Sequence, residues 1–132
     1  MAKPVLILVV EDDELISVVL EEGFKDAGYD LTFSSDGAAA VSKLEADPAA
    51  ISALVTDIHL GRGLDGWDVA RRARELAPDL PVVYMTADGG SEWTSRGVPN
   101  SVLVLKPFAV GQIVTAVSTL LNDLATHRAG GA

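Results

Sequence analysis

The chain contains no cysteine, which removes disulfides, thiolate metal sites, cysteine nucleophiles and sulfur redox chemistry together. No apolar stretch approaches the roughly eighteen residues of a membrane span, and the start lacks the basic and apolar regions of a secretory signal. A cytoplasmic protein is expected on those grounds. Basic residues are few: 10 Lys and Arg stand against 19 Asp and Glu, for a formal net charge of −9, and the sequence pI is near 4.4. That balance opposes binding to a phosphate backbone. A protein or small-molecule partner is expected, not nucleic acid and not a membrane. Internal repeats, linkers and low-complexity segments are also missing, and 132 residues suit one domain with one core.

What is present is a hydrophobic fraction of 48% with mean hydropathy +0.29, too apolar for a disordered chain. Short apolar runs alternate with helical patterns, the signature of βαβ units and a parallel sheet. Five such pairs can be counted. Val5 to Val10 is apolar without alternation, as a strand covered on both faces should be. A helix from about Asp13 follows, with Leu15, Ile16, Val19, Leu20 and Phe24 as its apolar stripe and Gly28 placed to end it. Leu31 and Phe33 alternate with polar neighbours as a half-exposed strand. Ser35-Asp36-Gly37 then opens a second helix that Pro48 stops. The third strand runs from Ile51 to Thr56 and ends at Asp57, and a helix carrying Val69, Ala70, Ala73 and Leu76 reaches Pro78. Pro81 to Met85 forms the fourth strand, ending at Thr86. The glycine-rich stretch Asp88-Gly89-Gly90-Ser91-Glu92-Trp93 leaves room only for a short helix. Val102 to Leu105 is the fifth strand, and Ile113, Val114, Val117, Leu120, Leu121 and Leu124 mark the last helix. Residues 1–125 are read as the domain and 126–132 as a short polar tail, with no output domain attached.

Charge appears where burial makes it costly. Glu11-Asp12-Asp13-Glu14 follows the first strand directly, and two carboxylates about 5 Å apart repel by roughly 3 kcal/mol at an effective dielectric of about 20. A hard divalent ion or an ammonium group relieves that repulsion. In a parallel sheet the C-terminal strand ends share one edge, where ligands bind at the point of reversed strand order. Glu11 and Asp12, Asp57, Thr86 and Lys106 therefore converge: three carboxylates, a hydroxyl and an ammonium. The carboxylates suit Mg²⁺, the hydroxyl and ammonium suit a phosphoryl group, and one carboxylate is a candidate nucleophile. Capping competes for the acidic run, because carboxylates favour helix N-termini, and Asp13 is read as the cap.

Five fragments in order carry a resemblance: Val9-Val10-Glu11-Asp12-Asp13, Leu54-Val55-Thr56-Asp57, Leu64-Asp65-Gly66-Trp67, Tyr84-Met85-Thr86-Ala87 and Leu105-Lys106-Pro107-Phe108. Over essentially its whole length the chain resembles the receiver domain of two-component response regulators. The resemblance implies a (βα)5 doubly wound, flavodoxin-like sheet with strand order 2-1-3-4-5. It implies Asp57 as phosphoacceptor, taking its phosphoryl group from a sensor histidine kinase or a phosphotransfer protein. It also implies Mg²⁺ held by Asp12 and Asp57, by Glu11 through water and by the backbone carbonyl of His59. Thr86, with Ala87 beside it, and Lys106 would meet the phosphoryl group, and His59 and Asp88 would tune its lifetime. Such a domain is no enzyme toward a separate substrate; it catalyses its own aspartyl phosphorylation and dephosphorylation. Signalling would pass to an unknown downstream protein, around the fourth helix, fifth strand and fifth helix, or the phosphoryl group would be shuttled onward.

Two departures stand out. Leu103 occupies the position where relatives often carry a switch aromatic, and the Thr86-to-Lys106 stretch is short, so the fourth helix is expected to be short or irregular. The Lys106-Pro107 bond is cis in many relatives. Neither histidine imidazole is read as a metal ligand, and Trp67 and Trp93 are read as partial core or surface anchors. A non-phosphorylated pseudo-receiver is the alternative, but it predicts loss of an acidic or lysine residue, and none is lost. A hydrolytic Mg²⁺ enzyme or nucleotide binder fits less well, since the first loop is neither Asp-x-Asp nor glycine-rich.

Overall fold

The structure, a computed structural model, describes residues 5–88 and 90–130, except for the side chains of residues 90 and 127–130. Gly89, the His127 side chain and residues 131–132 lie outside the described residues. Five strands alternate with five α-helices: β1 Leu6–Val10, α1 Glu14–Asp26, β2 Asp30–Ser34, α2 Gly37–Ala46, β3 Ala53–Asp57, α3 Gly66–Leu76, β4 Val82–Thr86, α4 Gly90–Arg96, β5 Val102–Leu105 and α5 Val110–Gly130. All neighbouring strands are parallel, in the order β2-β1-β3-β4-β5, as the resemblance implied.

Alternation along the strands builds two hydrophobic layers. Leu8, Val10, Leu54, Val82 and Tyr84 face α2 and α3. Ile7, Val9, Val55, Val83 and Met85 face α1 and α5. The central strands β1, β3 and β4 are covered on both sides, which is why their sequences are apolar up to the polar C-terminal ends of β3 and β4.

Local chemistry sets the helix ends. Asp13 caps α1, its carboxylate accepting from the N–H groups of Leu15 and Ile16. Gly28, at φ +91°, turns the chain out of α1 in a conformation glycine adopts without strain. Asp36 caps α2, and Asp65 with Asp68 forms a capping box on α3. Pro48 opens a 3₁₀ turn, Pro48–Ala50, so β3 starts two residues later than the apolar run suggested.

Three further expectations are corrected or sharpened. Leu20 and Phe24 are fully buried in α1, but Leu15 is 79%, Val18 58% and Val19 47% exposed. Leu15 and Val19 lie one residue, or about 100° of helix rotation, away from the Ile16-Leu20-Phe24 stripe, so they form a separate row that faces outward. Trp67 is 1% exposed, a full core residue and not a partial or surface anchor; it packs against Tyr84 with ring centroids 4.8 Å apart and the planes tilted by 54°. The last helix continues to Gly130, into the stretch read as a tail, because no glycine or proline interrupts the sequence between Gly111 and Gly130. α4 spans seven residues, as short as expected.

Candidate functional site

The sheet order makes β1 and β3 neighbours whose outgoing connections lead to opposite sides, α1 toward β2 and α3 toward β4. A crevice opens there at the C-terminal strand ends. β1 delivers Glu11 and Asp12 to it, β3 ends in Asp57, β4 ends in Thr86, and Lys106 follows β5. A backbone bond from the Lys106 N–H to the Thr86 carbonyl, 2.7 Å, ties the last two ends together. The Lys106-Pro107 peptide is cis. Gly66 packs so tightly on the end of β3 that any β-carbon there would overlap the Asp57 carbonyl oxygen.

Lys106 is the centre of the arrangement. Its ammonium donates to Asp57 Oδ2 at 2.9 Å and to Glu11 Oε1 at 3.0 Å. Glu11, 4% exposed, also accepts from the Asp13 N–H through Oε2 at 3.1 Å. Asp57 Oδ1 accepts from the His59 N–H at 3.3 Å. Asp12 is exposed at the mouth, yet one carboxylate oxygen each from Glu11, Asp12 and Asp57 lies within 4.8 Å of the others. Thr86 is fully buried and its hydroxyl accepts from the Asp88 N–H at 3.2 Å. Ala87 is exposed.

Electrostatically the site is short of positive charge, with three carboxylates against one ammonium. Burial, reinforced by the charge on Asp57, pushes the Glu11 carboxyl up to about 7, even though the Lys106 hydrogen bond pulls the other way. Burial alone would lower Lys106, but its bonds to Asp57 and Glu11 outweigh that and hold the ammonium above its usual value. An oxygen-only donor set with excess negative charge fits a hard divalent cation.

The shift has a consequence for stability. Below the ordinary value of 4.5 both folded and unfolded chains carry the Glu11 proton, and its contribution is fully present. Between there and about 7 the unfolded chain releases the proton while the folded chain keeps it, so stability falls as pH rises and levels off above that range. Thermal melts of the metal-free protein at pH 5 and pH 8 should differ on the order of a few kcal/mol through this group. Glu11→Gln should remove most of the difference. An equal pH dependence in the variant would place its origin elsewhere.

The structure thus gathers Glu11, Asp12, Asp57, Thr86 and Lys106, as the sequence predicted. His59 and Asp88 are exposed and meet each other across the mouth, with Nε2 3.0 Å from Oδ1. Leu103 is half-buried on β5, paired in register with Tyr84. Sequence reasoning missed the Glu11–Lys106 pair. The signal was there, since a carboxylate at a buried strand end needs a cation. It also missed Ser34, at the end of β2, whose carbonyl accepts from the Glu11 N–H and whose buried hydroxyl has no partner among the described residues. Beside the site, Leu15, Ile16, Val19, Ala87, Lys106, Pro107 and Phe108 line an open, mainly apolar groove of about 460 Å³.

Fold and site together define a doubly wound α/β domain with an acidic, lysine-bridged centre at its switch point. A family profile described as the response regulator receiver domain matches residues 7–118, and the chain belongs to that family. It is 33% identical over 117 residues to the response regulator receiver protein CpdR of Brucella abortus, spanning 87% of this chain and 95% of CpdR. To the response regulator MprA of Mycobacterium tuberculosis it is 31% identical over 120 residues, which cover 89% of this chain and 51% of MprA. The chain therefore spans about half the length of MprA. Among solved structures, a receiver protein from Sinorhizobium medicae superposes with a TM-score of 0.87 at 43% identity, covering 91% of this chain and 96% of that one. The receiver domain of the hybrid histidine kinase CckA shares the fold, with a TM-score of 0.73 at 22% identity over 88% of this chain and 98% of that one.

Proposed function

We propose that Asp57 accepts a phosphoryl group from a phosphohistidine of a sensor histidine kinase or phosphotransfer protein. One Asp57 carboxylate oxygen forms the new P–O bond as the P–N bond of the donor breaks, and the imidazole leaves and takes up a proton. The observation that carries this reading is the Lys106 ammonium on Asp57 Oδ2. It sits where negative charge develops on the transferring phosphoryl oxygens, and such fixed charge supplies most of the catalysis of this reaction. Asp12 and Asp57 would hold Mg²⁺ directly, Glu11 through water, with the His59 carbonyl as a further oxygen. When bound, Mg²⁺ would supply positive charge to neutralise the phosphoryl group. The Thr86 hydroxyl and the Ala87 backbone border the position the phosphoryl oxygens would take.

The exposed Leu15 and Val19 and the groove beside Lys106 give a phosphodonor protein an apolar surface next to the acceptor. In this reading the domain acts in the cytoplasm, passing its state to a downstream protein by contact or handing the phosphoryl group on. A test is transfer of label from a small acyl-phosphate donor. Label that requires Mg²⁺, is blocked by chelation and is released by hydroxylamine marks an aspartyl phosphate. Label that is independent of Mg²⁺ or stable to hydroxylamine contradicts it.

The His59–Asp88 pair spans the mouth through which a hydrolytic water would reach the phosphoryl group. Removing it with Asp88→Ala should speed loss of the phosphoryl group by about 3- to 10-fold, equivalent to roughly 1 kcal/mol of barrier. Decay of the phosphorylated mass over time measures this, and an unchanged lifetime would count against the gate.

A further inference from the structure

α4 is too short to hold itself in place. A seven-residue helix lies well below the length at which isolated helices persist, and Ser91, Glu92, Thr94, Ser95 and Arg96 are all exposed. Its position depends on tethers, and two of them lead back to the phosphoacceptor site. The Arg96 guanidinium lies 5.6 Å over the Trp67 ring and donates to Asp65 at 3.5 Å, besides Glu92 of its own helix at 3.3 Å. Asp65 is the N-cap of α3. The next residue, Gly66, donates its N–H to the Ile58 carbonyl at 2.8 Å and packs on the Asp57 backbone. Arg96 therefore grips the two residues that flank the glycine in contact with the acceptor strand.

The second tether runs through β4. Trp67 packs in tilted contact against Tyr84, and the Tyr84 hydroxyl accepts from the Val98 N–H at 3.0 Å, just past the end of α4. Tyr84 is two residues before Thr86, so both side chains project from the same face of the strand. In register it lies beside Leu103 on β5. The aromatic missing from β5 thus has a buried aromatic neighbour on the next strand, already bonded to the segment that follows α4. The two tethers close a ring: Asp57 to Gly66 and Trp67, Trp67 to Arg96, α4 to Val98, Val98 to Tyr84, and Tyr84 back to Thr86.

We propose that Trp67, Tyr84 and Arg96 form a clasp through which the state of Asp57 and Thr86 sets the position of α4, taking over the part a β5 aromatic would play. This deepens the reading of Asp57 as a phosphoacceptor and rests on it. A shift of Thr86 toward a phosphoryl group moves β4 at Tyr84, and a shift of the acceptor loop moves Asp65 and Trp67. Either loosens or tightens the hold on α4. Cation–π contacts and exposed ion pairs are weak enough to be re-made in both states.

The test uses the full chain with Trp93 kept, because its indole N–H also tethers α4 by donating to Ser101 Oγ at 2.9 Å. It compares Arg96 with Arg96→Met; the arginine is exposed, so folding is not at stake. Each protein is treated with a small acyl-phosphate donor and Mg²⁺. Intact mass and amide exchange over residues 90–98 are then read together. With Arg96 present, phosphorylation should alter α4 exchange by about threefold or more. Arg96→Met should gain the same mass, exchange faster in α4 before phosphorylation, and lose most of the response after it. A mass gain with the same α4 response in both proteins, or with none in either, overturns the clasp alone. No mass gain with Arg96 present overturns the phosphoacceptor reading and the clasp with it, and the mass channel tells these failures apart.

Discussion

Lys106→Met is expected to slow phosphoryl uptake at Asp57 by about 100-fold, equivalent to roughly 3 kcal/mol of lost transition-state stabilisation. Methionine keeps most of the side chain's length and removes its charge. In the present arrangement the ammonium contacts both Asp57 and Glu11, so its loss leaves two buried carboxylates facing each other. Breaking a buried ion pair by removing one partner costs about 3–5 kcal/mol when the remaining charge cannot escape. Here it can escape in part, because Glu11 already titrates near neutral pH and will be driven further toward its protonated form. The metal-free variant should therefore lose more stability at pH 8 than at pH 5. Mg²⁺ should bind it more tightly than it binds the parent, because the ammonium no longer competes for the same oxygens. Time courses of phosphoryl uptake and a Mg²⁺ titration check both halves. Uptake within twofold of the parent would reduce Lys106 to a structural ion-pair partner.

Asp57→Asn is expected to abolish phosphoryl uptake completely, the largest effect in the molecule, because an amide oxygen is not a competent nucleophile. The substitution is nearly isosteric, and the amide oxygen can still accept from the Lys106 ammonium, so the fold should persist. Glu11 provides an internal control. Part of its upward shift comes from the charge on Asp57; neutralising that charge should bring Glu11 down, though burial, the larger cause, remains. The fall in stability with rising pH should then finish at lower pH than in the parent. Melts across pH read this without reference to phosphorylation. An unchanged pH profile would mean that the two carboxylates do not sense each other.

Much of this was legible in the sequence because parallel sheets write their ligand edge into the chain. Apolar runs ending in Glu11-Asp12, Asp57, Thr86 and Lys106 place those residues together once the strands are parallel, whatever the detailed packing. Capping was equally readable: Asp13 and Asp36 stand directly before helical periodicity, and both cap. What escaped notice depends on relative rotation and distance, which periodicity does not encode. Leu15 and Val19 matched the apolar stripe within one residue, yet α1 turns that row outward. Trp67 follows a loop and could have packed on either side of the surface; its burial against Tyr84 decides that it is core. The contact of Lys106 with Glu11 is between residues 95 apart, and charge balance alone hinted at it. The grip of Arg96 on Trp67 had no sequence signal, because each residue taken singly looks ordinary.

The central claim is that Asp57 is a phosphoacceptor, and intact mass measured side by side for the parent and Asp57→Asn tests it most directly. Both are incubated with a small acyl-phosphate donor and Mg²⁺. The parent should gain the mass of one phosphoryl group and the variant none. A parent that gains nothing, or a variant that gains the same mass, would contradict the claim.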